Sequence, residues 1–292
     1  MHRPPREQHT VSKVVLRRFA VNKKVSVYDR HSDSIYPKGP GGIFRLHDFD
    51  GHEPLEAERR WGAVEQHMTR TYRLIDQRKV LGDPEAVDVL RDLLAVHWVR
   101  SASMRVMQDR VFQQVLDAHR GDWARRPDLL SAAYTQRTGL LPAGPGALAW
   151  TNEELHRISP QVRAEIYSRR NAMHYGWARQ KFATGEVQIA YAKEGDFVIG
   201  DAPVITAKTD FEGLGPHQGV ALNEASVIIM PISPGILIGL GTKPMYLDID
   251  QPAVETYNQM QVRSFIRWLG ARPGGPSDRQ MRAEIPARRI YG

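Results

Sequence analysis

The chain has 292 residues, 41% of them hydrophobic, no cysteine and a formal charge of +7. That length and apolar content suffice for a substantial core, while the missing cysteines exclude disulfides, thiolate metal sites and cysteine nucleophiles. No apolar run reaches the roughly 20 residues that a bilayer-spanning helix needs, and the first residues lack a secretory apolar stretch, so a cytoplasmic protein with no membrane partner is expected.

Alternation over Lys24 to Tyr28 and Ser34 to Tyr36 predicts a small hairpin turning near His31-Ser32-Asp33, ended by Lys38-Gly39-Pro40-Gly41-Gly42. Pro54 is placed to open a helix on which Trp61, Met68, Tyr72 and Ile75 share a face. A second, longer helix is predicted from an Asp83 cap and Pro84. Its stripe Val87, Leu90, Leu94, Met104, Val111 and Val115 runs on to about His119. Residues 121–150, rich in Pro, Gly and Arg, read as a connector with at most a turn or two of helix around Leu129 to Tyr134. Ser159-Pro160 opens a third helix with the stripe Val162, Ile166, Met173 and Trp177, stopping at Thr184-Gly185; Trp98, Tyr167, Tyr175 and Trp177 read as core aromatics.

Beyond Gly185 the period becomes that of strands. Val187 to Ala192, Phe197 to Ile199, Val204 to Ala207, Ala225 to Met230 and Ile236 to Leu240 are predicted strands, several paired antiparallel. A last helix is predicted from about Pro252 through Val254, Tyr257, Phe265 and Trp268 to Gly270, followed by a mobile basic tail over 271–292. Helices first and strands later imply an α+β fold: one domain over 1–270, with a layer of three to four long helices packed on a mostly antiparallel sheet.

Charge is concentrated at the ends. Residues 1–30 hold eight Lys/Arg against two carboxylates and residues 271–292 five against two, so the body between carries −2. Basic ends of this kind fit either solvated tails or arms that touch a phosphate backbone.

Two apolar stripes are interrupted by polar residues. Glu58 and Glu65, seven apart, fall on the stripe of Trp61, Met68 and Tyr72, and His97, Ser101 and Gln108 interrupt that of Leu90, Leu94 and Met104, with Arg100 and Arg105 beside them. Unpaired buried charges are too costly to persist, so the two helices are expected to face one another with glutamates and arginines paired, joined by Asp201 and His9. Such pairs can merely fix helix register. They can also hold a divalent cation on Glu58 and Glu65, transfer protons through His9 or His97, and bind an anion through Arg100 and Arg105. Asp201 most simply accepts backbone N–H groups in its turn before Pro203.

Other signals are weaker. His47 and His52 near Asp48, Asp50 and Glu53 have metal-ligand composition without metal-site spacing. Gly213 to Gly219 only superficially resembles a dinucleotide fingerprint, Gly239 to Lys243 lacks phosphate-loop order, and there is no Gly-x-Ser-x-Gly elbow.

The start His9-Thr10-Val11 with Leu16-Arg17-Arg18-Phe19, followed by Val25 to Asp29, resembles the bacterial domain-of-unknown-function family DUF4238. Glu58 and Glu65 resemble that family's paired glutamates, Arg100 and Arg105 its helical arginines, Asp201-Ala202-Pro203 its Ser-Asp-Asn-Pro turn, and Pro231-Ile232-Ser233-Pro234 its Pro-Leu-Ser-Pro strand entry; Asn258 fits a further position. Gly200 stands where the family usually has Ser and Ala202 where it usually has Asn, departures that imply altered or lost ligand binding at the turn. The resemblance supplies candidate positions and no mechanism.

The expectation is therefore an anion-accommodating pocket in a hydrolase acting on a phosphate-bearing substrate, a nucleotide or nucleic acid. His9, Glu58, Glu65, His97 and Asp201 are its candidate catalytic groups, and Arg100, Arg105 and Asn258 its binding groups. The alternative is a non-catalytic nucleic-acid- or protein-binding module whose inner charges are scaffold.

Overall fold

A computed structural model describes residues 7–47, 55–158, 160–208 and 220–291. The chain opens with β1 (Glu7–His9) and α1 (Lys13–Phe19), then the hairpin β2 (Val25–Asp29) and β3 (Ser34–Lys38), and β4 (Arg45–His47). Six helices follow: α2 (Leu55–Asp76), α3 (Pro84–Val99), α4 (Ala102–Ala124), α5 (Pro127–Thr138), α6 (Pro145–Leu155) and α7 (Pro160–Ala183). Strands then dominate: β5 (Glu186–Ala192), β6 (Ile199–Gly200), β7 (Ile205–Ala207), β8 (Val227–Ser233), β9 (Ile236–Gly241) and β10 (Met245–Ile249). The chain ends with α8 (Gln251–Ser264), β11 (Trp268–Ala271) and α9 (Pro276–Tyr291). The fold is α+β.

A five-stranded sheet runs β10-β5-β9-β8-β7, antiparallel except for the parallel pair β10 and β5. A four-stranded antiparallel sheet runs β3-β2-β11-β6, and β1 pairs with β4. In the larger sheet Ile189, Met230 and Ile238 belong to one core with Leu16 and Phe19 of α1, Met68 of α2, Leu94 of α3 and Phe182 of α7. Their neighbours Ala190, Ile229 and Leu237 belong to a second core with Val254 and Met260 of α8. Covering on both faces explains why β8 and β9 are near-continuous apolar runs instead of alternating ones.

Four boundaries differ from the sequence expectation. The long second helix is two, because Ser101 adopts an extended conformation and caps α4, its Oγ accepting from Met104 N at 3.2 Å, while Ala102 N donates to Asp201 O at 3.0 Å. The supposed connector holds α5 and α6, since Pro127 and Pro145 sit at first-turn positions where a helix tolerates proline. The last helix stops at Ser264, and Trp268, expected on it, lies on β11 between β2 and β6. The tail, expected to carry no element, holds α9. Asp278, buried, accepts from Ser26 Oγ on β2 at 2.6 Å, Gly274 N at 2.8 Å and Arg282 Nε at 3.0 Å.

Val111, Val115, Val162, Met173 and Trp177, expected to face a core, are exposed. α4 packs on α5 and α6, and Val111 and Val115 stay outside the core.

Candidate anion site

β1 and β4 set the site's edge, since His9 pairs in register with Arg45. His9 Nδ1 donates to Ile43 O at 3.2 Å, which fixes the tautomer and leaves the Nε2 lone pair with no hydrogen-bond partner among the described residues. Burial depresses the His9 pKa to about 4, and the charges of Lys13, Arg45 and Arg100 add to the effect against the opposing pull of the Ile43 bond. His9 is therefore neutral at pH 7, among three cations contributed by α1, β4 and the end of α3.

His97 stands behind this group, fully buried. Its Nδ1 donates to Leu93 O at 2.8 Å and its Nε2 accepts the N–H of Ser12 at 3.0 Å. That second bond satisfies a backbone donor at the start of α1, a service usually given by a cap side chain. Burial, with a lesser push from Arg100, lowers the His97 pKa to about 3. With both nitrogens engaged the ring cannot relay a proton. Freed from capping, the Ser12 Oγ is buried and has no hydrogen-bond partner among the described residues. Arg100 closes α3, its guanidinium 5.6 Å from the centre of the Trp61 ring.

The other described candidates lie elsewhere. Glu65 is partly buried on α2, where its charge helps burial and Asp76 raise the Tyr72 hydroxyl pKa. Among the described residues no hydrogen bond or ion pair joins Glu65 to His97, Arg100 or Arg105. The side chain of Glu58 lies outside the described residues, as do Asp48, Asp50, His52, Glu53 and the Gly213 to Gly219 loop. Among the described residues no three His, Asp or Glu side chains are grouped to hold a metal ion. Arg105 turns the other way: it binds Asp109 at 3.2 Å and lies 4.0 Å from the Tyr167 ring centre, while the Tyr167 hydroxyl donates to the same Asp109. This tie joins α4 to α7.

Asp201 and Asn258 belong to a structural knot. The Asp201 carboxylate is fully buried and accepts the N–H groups of Ile266 and Arg267, both at 2.8 Å, and of Trp268 at 3.2 Å. Burial raises its pKa to about 6 against the lowering effect of those three bonds. Asn258 Oδ1 accepts from Val198 N at 2.9 Å, and its Nδ2 donates to Asp196 O at 2.8 Å and Ser277 Oγ at 3.2 Å. Gln261 accepts from Gly200 N at 2.9 Å and donates to Pro203 O at 2.8 Å. A Cβ on Gly200 would meet Gln261 Oε1 and the Phe265 Cβ at 3.0 Å, so glycine permits this close approach of α8.

The structure thus gathers His9, His97 and Arg100 and separates Arg105, Asn258 and the Asp201 carboxylate from them. None of the described candidates lines the cavity of about 1160 Å³ beside α7. Sequence reasoning missed Ser12, Lys13 and Arg45; the short cap before α1 was a weak signal for the first two, and only strand register reveals the third.

A sequence model of the family described as a protein of unknown function (DUF4238) matches residues 7–270. No curated protein and no solved structure matches the chain. With all but the N-terminal six residues and the α9 region inside the match, the chain belongs to the DUF4238 family.

Proposed function

We propose that this protein binds a phosphate-bearing small molecule among His9, Lys13, Arg45 and Arg100 and hydrolyses its phosphate ester. One arrangement carries the proposal: Arg45, paired in register with His9, Lys13 on α1 and Arg100 at the end of α3 bear on a histidine whose tautomer is fixed by Ile43 O and whose Nε2 has no hydrogen-bond partner among the described residues. Cations so placed stabilise charge on phosphoryl oxygens. His9 Nε2 takes a proton from the water attacking phosphorus, the bond from phosphorus to the ester oxygen breaks, and the imidazolium returns the proton to the departing alkoxide. Ser12 Oγ, a buried hydroxyl in need of a partner, supplies a donor to the bound anion.

A bound anion offsets the three cations, so the His9 pKa should rise from about 4 when inorganic phosphate is added. Titration of the His9 ring by NMR with and without phosphate tests this, and an unchanged pKa at saturating phosphate would sink the site. Turnover of p-nitrophenyl phosphate that His9→Gln abolishes while phosphate still protects against heat would establish the hydrolytic step. Turnover unaffected by His9→Gln would reject it. Against the nucleic-acid alternative, the tail arginines Arg272 and Arg282 are engaged within the fold, in ion pairs with buried Asp196 at 2.8 Å and buried Asp278 at 3.0 Å.

A further inference from the structure

The cavity of about 1160 Å³ lies between the α3–α4 junction, α7 and the β6–β8 side of the fold, and Trp98, Met104, Met107, His174, Trp177 and Lys181 give it its chemistry. His174 is flanked by both tryptophans, its ring centre 6.3 Å from that of Trp98 and 5.5 Å from that of Trp177. Trp177 is 56% exposed and Met107 47%, so the cavity presents an apolar wall to solvent. His174, Trp177 and Lys181, at spacings of three and four on α7, share one helix face.

The histidine is held by a buried network. Gln108, itself 3% exposed, donates its amide nitrogen to Asn171 Oδ1 at 2.9 Å and to His174 Nδ1 at 3.3 Å. Nδ1 is therefore the acceptor and the ring proton sits on Nε2, on the edge away from Gln108. Two buried amides fix which nitrogen donates at the wall of a cavity. A solvent-facing histidine has no need of that arrangement. Burial, and then Arg170, lower the His174 pKa, so the ring is a neutral donor. Lys181 is the one ionised side chain among the described residues lining the cavity, and no carboxylate is among them.

We infer that this cavity is a second binding site, separate from the His9 site, for a planar conjugated ring carrying a carboxylate or phosphate. The ring lies against Trp98, Trp177 and the methionines, and the anionic group pairs with Lys181 and accepts from His174 Nε2–H. Aromatic walls with a few convergent polar groups are the usual make-up of such sites. Ala202 also lines this cavity, at the position where the family resemblance expects Asn. This member accordingly presents a more apolar wall there.

Calorimetric titration of the full chain with 2-naphthoate, 2-naphthyl phosphate and neutral 2-naphthylmethanol tests the inference. At least one acid should bind saturably, the tighter one identifying the anionic group, with the alcohol weaker by about tenfold. Lys181→Met and Trp177→Ala, changes at partly or fully exposed positions that leave the core intact, should each weaken that acid by about tenfold. Lys13→Met should leave its affinity unchanged, which separates this site from the His9 site. Absence of saturable binding by both acids, equal affinity for the alcohol, indifference to Lys181→Met, or loss of binding with Lys13→Met would each overturn it.

Discussion

Two buried polar clusters in this molecule differ in how completely they are satisfied. Around Asp201, Asn258 and Gln261, carboxylate and amide groups are matched to backbone partners on β6, β11 and the chain flanking them. Around His9 and Ser12, the His97 ring is equally saturated, but the Ser12 hydroxyl and the His9 Nε2 have no partner among the described residues. Saturation with backbone bonds marks scaffold, because each such bond holds the chain and leaves nothing to offer a ligand. An incompletely matched cluster is where a ligand can supply what is missing.

The largest effect should come from cutting the saturated knot. Asp201→Ala leaves three backbone N–H groups buried without an acceptor, and a loss of about 3–5 kcal/mol is expected in urea unfolding. A loss below about 1 kcal/mol would mean that water replaces the carboxylate and that the knot is no scaffold.

His97→Gln should cost less, about 1–3 kcal/mol at pH 7, and it also changes how stability depends on pH. The ring's ordinary pKa of 6.5 drops to about 3 in the fold, so below pH 6.5 the unfolded chain takes up a proton that the folded chain refuses. Its contribution is complete above pH 6.5 and declines on acidification, at about 1.4 kcal/mol per pH unit. Asp201 has the opposite sign. Its pKa rises from 3.8 to about 6 on folding, so its contribution is complete below 3.8 and is lost as pH rises through 6. Between pH 4 and 6 the two slopes oppose one another, and His97→Gln should remove the rising one. Unfolding midpoints across that window check this, and a variant with the parent's slope would show that His97 titrates normally.

Much of this scaffold was legible in the residues, for physical reasons that also explain what was not. α2, β5 and β9 announce themselves because a period of 3.6 or an apolar run bounded by glycine is local information. The His97 bond to Ser12 spans 85 positions and the Asp201 bonds span 65 to 67, so a sequence shows that polar groups must be paired without showing with what. The expected Glu–Arg seam placed the right helices together; within it His97 found a backbone N–H, and Arg105 found Asp109 and Tyr167. Gly200, where the family usually has Ser, permits close packing against Gln261 and Phe265. Gly200→Ala should therefore destabilise by about 1–2 kcal/mol through overpacking against α8, without changing the phosphate response of His9. A thermal melt with and without phosphate separates the two.

The smallest change is the most discriminating. If the Ser12 hydroxyl lacks a partner in the free protein, Ser12→Ala removes a buried polar atom that stabilises nothing, and stability should hold or rise by up to about 1 kcal/mol. The backbone N–H of Ser12 still reaches His97 Nε2, so the start of α1 keeps its bond. Binding should respond in the other direction, because the same hydroxyl is the donor assigned to the bound anion, and the thermal shift induced by phosphate should shrink. A scaffold residue behaves oppositely: its truncation lowers stability in the free protein and leaves the ligand-induced increment alone. Ser12→Ala measured both ways therefore decides on which side of the comparison the His9 cluster falls.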